Sequence, residues 1–65
     1  MITTREEALA AVKRDGHDLK YASEALKNDW GVVLAAVNQN GYALQYASDA
    51  LKDDRDFILA AVNQS

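Results

Sequence analysis

A lone histidine, three serines and a short run of acids are the residues of this chain whose types could do chemistry. A nucleophilic hydrolase would need a serine, a histidine base and an acid in register, and Ser23, Ser48 and Ser65 have only His17 to draw on. His17 follows a glycine, where a surface or helix-start role explains it better than catalysis. The run Asp53-Asp54-Arg55-Asp56 could attract a cation, but it lacks the spacing and the glycine of a calcium loop. A helix N-cap with solvated charges accounts for it. No glycine begins a phosphate-cradling G-x-G-x-x-G pattern. With no cysteine and one histidine, neither a disulfide nor a thiolate or histidine metal cluster can form. The expectation is a chain that is not an enzyme, with no catalytic residue, no cofactor and no metal.

The elements that would position these residues repeat. Residues 10–34 align without a gap on residues 35–59, with 13 of 25 positions identical, and Ala60-Ala61-Val62 restates Ala35-Ala36-Val37. A fixed period of this length marks a repeat architecture in which each unit buries its apolar face on the next. The repeated residues are packing residues, so they speak to fold before function.

Composition narrows the class. A 65-residue chain is one small domain, which buries only about 60% of its unfolded surface. Without disulfides or metals, such a domain depends on efficient helix packing or self-association. The net charge of −3 opposes nonspecific binding to nucleic acid, which needs a basic field. No apolar run approaches the ~20 residues of a membrane span, and MITTREE lacks a signal-peptide core. A cytoplasmic location, with no membrane and no nucleic-acid partner, is the expectation.

The absence of proline and the abundance of Ala, Leu, Lys, Glu and Gln favour helix throughout. Thr4, Asp29 and Asp54 stand at equivalent positions and suit N-caps, and Glu7 follows Thr4 at capping-box spacing. Gly16 and Gly41 also match and suit left-handed C-caps. This punctuation predicts an all-α fold of five short helices, at about 5–15, 18–28, 30–40, 43–53 and 55–64, from about 2.5 tandem 25-residue units. Leu19, Ala22, Ala25 and Leu26, with Tyr21 at the margin, fall on one arc of the second helix, as Leu44, Tyr46, Ala47, Ala50 and Leu51 do in the fourth. Val33, Leu34, Ala36 and Val37 point inward from the third, with Val32 on its flank. Ser23 and Ser48, at the edge of the arc, suit close helix approach, with the hydroxyl bonding back to the preceding turn.

Candidate interaction residues are the departures from the repeat. Trp30 replaces an arginine found at the equivalent Arg5 and Arg55, and serves either as a lid over a helix junction or as an interface anchor. Asn38, Gln39 and Asn40, with Asn63 and Gln64, offer a polar rim. The position of Glu7 in the first copy becomes Val32 and then Phe57. A polar copy ends a stack in water; Phe57 and Ile58 therefore either close the domain's own core or leave an edge for a protein partner or a homodimer.

The stretch from Val33 to Val62 closely resembles the repeat of domain of unknown function 4116. That family carries L-A-A-V, N-G-x-A-L-x-Y-A-S and L-K-x-D in tandem, here Leu34–Val37, Asn40–Ser48 and Leu51–Asp54. The resemblance extends from Ala8 onward, with departures at Asp15, His17 and Asp18. It implies short helical repeats in series and supplies no activity, ligand or site. A weaker likeness links Gly41-Tyr42, Ala47, Ala50-Leu51 and Ala61-Val62 to ubiquitin-associated three-helix domains. A helix-turn-helix reading also exists, but its recognition helices carry no net positive charge. The function expected is a non-catalytic helical-repeat module for protein interaction or structure.

Overall fold

In the computed structural model, residues 1–63 are described; Gln64 and Ser65, and with them part of the expected polar rim, lie outside the described residues. The chain is all-α, and the described residues form seven helical segments where five were expected. Three are the expected long helices, α1 (Arg5–Arg14), α3 (Trp30–Gln39) and α5 (Arg55–Val62). Each expected second helix is instead two pieces. A 3₁₀ segment, Gly16–Tyr21 or Gly41–Tyr46, is followed by a single α-turn, α2 (Glu24–Lys27) or α4 (Asp49–Lys52).

The break has a physical cause that lies outside the local sequence. Ala22 and Ala47 close the 3₁₀ segments by donating to Leu19 and Leu44, three residues back. The next amide is then taken by the neighbouring chain segment: Ser23 N–H donates to the Ile2 carbonyl at 2.9 Å, and Ser48 N–H to the Lys27 carbonyl at 2.9 Å. Two successive residues are thereby held extended, with ψ of 156° at Ala22 and 163° at Ser23. A tertiary hydrogen bond outweighs the high intrinsic helix propensity of this stretch.

The N-terminal caps form as their residue types require. The side chains of Thr4, Asp29 and Asp54 accept from the amides of Glu7, Val32 and Phe57, satisfying donors that the first turn leaves free. Ser23 and Ser48, read from sequence as packing residues bonding backward, instead cap α2 and α4 by accepting from Leu26 and Leu51. The usable signal was a serine with an acid next to it, in S-E-A-L and S-D-A-L, ahead of a leucine.

The glycine expectation is overturned. No glycine has positive φ, and each of Gly16 and Gly41 opens a 3₁₀ segment instead of closing a helix in the left-handed region. The turn is made by the preceding residue: Asp15 and Asn40 are extended and accept from the amides of His17 and Tyr42, the local bonding to which Asx side chains are suited.

The core runs from Ala8 and Val12 through Leu19, Val32 and Val33 to Phe57, all fully buried. Leu26 and Leu51 are buried as phased, while Leu34, Val37 and Leu44 pack on the core only partly buried. Val32, placed on the flank from sequence, is inside. Ala25 and Ala50, placed inside, are exposed, because the break before each α-turn rotates them away from the arc of a continuous helix.

Candidate interaction surface

The residues singled out from sequence separate into structural members and surface members. Phe57 is fully buried, so it closes the core and takes no part in a surface. Ile58 is half-buried against that core. Trp30 stands edge-on to the Phe57 ring, with centroids 5.2 Å apart and planes at 89°, the quadrupole-favoured arrangement. It lids the α3–α5 junction while 40% of it remains exposed. Asn38 is exposed. Gln39 is a clamp between copies: its Oε1 accepts from the Gly16 amide at 2.6 Å, and its Nε2 donates to the Arg14 carbonyl at 3.3 Å. His17 sits half-buried against Tyr46, with ring centroids 5.9 Å apart and planes at 68°. The five candidates therefore do not converge on one site.

The polar groups are largely spent on the backbone. Asp29 accepts from Val32 N–H and forms an ion pair with Arg5 Nε at 2.9 Å, fastening α1 to the start of α3. Burial works to raise the Asp29 pKa, but the Val32 amide, the Arg5 guanidinium and the Gly31 amide together hold it below the ordinary carboxylate value. The pairs Glu24–Lys27 and Asp49–Lys52 join residues three apart at 3.9 and 3.6 Å; with their carboxylates in water they contribute little. Among the described residues no group of three or more His, Cys, Asp or Glu could hold a metal ion. Among the described residues no helix is long and apolar enough to cross a membrane.

A second set of residues, outside the leading surface candidates, is related by repeat equivalence. Gly16 is buried beneath the end of α3, where a Cβ would collide with the Ala36 carbonyl oxygen. Gly41, its counterpart, is exposed, and no described atom lies within 4 Å of where its Cβ would be. His17 is half-buried under Tyr46, whereas the matching Tyr42 is 78% exposed. Leu19 is fully buried and Leu44 only partly; Leu34 is partly buried and Leu59 is 49% exposed. Each of these four positions is better covered in the first copy than in the second. The signal was present in sequence as Tyr42 and Leu59, apolar residues at positions whose first-copy equivalents pack inward.

A family model, Domain of unknown function (DUF4116), matches residues 4–52 and again 31–65. No curated protein and no solved structure matches the chain significantly.

Proposed function

We propose that this chain, which belongs to the DUF4116 family, is a non-catalytic helical-repeat module that binds protein through the open face of its second copy. The observation that carries this reading is the unequal burial of equivalent residues: Tyr42 and Leu59 are exposed where His17 and Leu34 are covered. An apolar face rimmed by polar residues is a characteristic interaction surface. Tyrosine in particular supplies large contact area with few rotamers to fix. The non-catalytic half of the reading is supported by the tasks of the polar side chains. Asp15, Ser23, Asp29, Asn40, Ser48 and Asp54 all accept backbone amides at turns and helix starts.

A homodimer would use this same face. Of the edge residues considered from sequence, Phe57 is buried and Ile58 half-buried, whereas the exposed Tyr42 and Leu59 would meet their twofold mates. Sedimentation of the full chain across micromolar to millimolar concentration, alone and with affinity-captured partners, tests the module. Association that is lost in Tyr42→Arg and Leu59→Arg, both folded by circular dichroism, is the expected outcome. Association unchanged by both substitutions would contradict the assignment of this face.

A further inference from the structure

Three contacts between the first and second copies define a register that the second copy offers again. The Lys27 carbonyl accepts Ser48 N–H at 2.9 Å, repeating the Ile2–Ser23 bond 25 residues earlier. Asn28 Oδ1 accepts the Ser48 hydroxyl at 2.6 Å. The His17 and Tyr46 rings meet edge to face. Advancing one period carries the acceptors to the Lys52 carbonyl and the Asp53 carboxylate, and the ring platform to Tyr42. Lys52 has no serine amide donor of this kind among the described residues. Asp53 and Tyr42 are exposed.

We infer that the occupant of the open face is a further unit of this same repeat, a Y-A-S segment in 3₁₀-then-α-turn conformation. In it the serine amide donates to the Lys52 carbonyl, the serine hydroxyl to Asp53, and the tyrosine ring packs on Tyr42. This rests on the proposed function, of which it names the partner. The warrant is continuity: the same residue types at the same spacing already form the interface between the two copies, and a stack of repeats is stabilised unit by unit through such nearest-neighbour contacts. An apolar peptide without this pattern would cover Tyr42 and Leu59 but leave the Lys52 carbonyl and Asp53 without their donors, and so gain less.

The test extends the full chain. Ser65 is the repeat equivalent of Asn40, so a copy of residues 41–53 appended directly after it continues the register. Tethering supplies the effective concentration that a free peptide would lack. The extended chain should melt at least about 4 °C higher than one carrying the same residues scrambled. Its appended serine amide should be protected from hydrogen exchange, and Tyr42→Ala should erase most of the difference between the extended and scrambled chains. Equal melting of the extended and scrambled chains, or a gain indifferent to Tyr42→Ala, would overturn the inference. If either occurs while the unextended chain still associates through Tyr42 and Leu59, the face binds some other protein and the proposed function stands. If that association is also absent, both fail.

Discussion

The two copies of one 25-residue segment, identical at 13 positions, end in different surroundings. In the first, the turn around Gly16 lies under α3, with Gln39 bonded to the Gly16 amide and the Arg14 carbonyl. In the second, the turn around Gly41 has the same Asx geometry and the same 3₁₀ segment, yet its Tyr42 stands in solvent. Local structure is thus set by residues within each unit, and burial by what the next unit provides. A conserved local fold with unequal cover is what turns one end of the stack into a surface.

The largest expected effect tests how that end is closed. Phe57 occupies the position of Val32 and Glu7 and is fully buried beneath Trp30. Phe57→Ala should cost about 3–5 kcal/mol, close to the whole stability of a small domain. A urea midpoint near that of the native chain would show that α5 is not part of the core and that the open face begins earlier than Tyr42.

The paired glycines sharpen the comparison. Gly16→Ala places a methyl group against the Ala36 carbonyl, a backbone atom that cannot step aside, and should cost about 1–3 kcal/mol. Gly41→Ala meets no described atom and no left-handed backbone. It should be neutral or stabilise by up to about 1 kcal/mol, because alanine restricts the unfolded chain. Equal losses at the two sites, measured by thermal or urea unfolding, would mean that the copies are covered alike.

A smaller effect concerns the Arg5–Asp29 fastening of α1 to α3. The Asp29 pKa is lowered in the folded state from 3.8. Its contribution to stability is therefore fully present above the unfolded value, and is lost as pH falls through the still lower folded value. Asp29→Asn should flatten the acid limb of the stability–pH curve below about pH 4, with a modest loss at neutral pH. An acid limb unchanged by this substitution would place the pH sensitivity elsewhere.

Much of this was legible in the sequence, for reasons that particular residues make plain. Thr4, Asp29 and Asp54 announced their helices because N-capping is a local transaction between a side chain and the next turn. Leu19, Leu26 and Leu51 were phased inward correctly, since a large apolar side chain is drawn to the core from either piece of the broken segment. The break at Ala22-Ser23 was not legible, because its cause is a bond to the Ile2 carbonyl, far away in the chain. Gly16 was misread for a similar reason: glycine at the end of a helix ordinarily signals positive φ, and here it signals a close approach by Ala36. Phe57, which the sequence left open between closing the core and leaving an edge, is fully buried in the core. Tyr42 and Leu59 stood outside the leading surface candidates, entering only with the ubiquitin-associated likeness, because their exposure depends on which copies are stacked, a property of order along the chain and not of the unit.

The central claim is that one face is closed in the first copy and open in the second, and carbene footprinting of the native chain with mass spectrometric readout tests it most directly. Leu34 and Leu59 are chemically identical and stand at equivalent positions, so their relative labelling reports cover alone. Leu59 should be labelled several-fold faster than Leu34, and Tyr42 faster than the half-buried Tyr46. Equal labelling within each pair would contradict the open face and, with it, the proposed binding role.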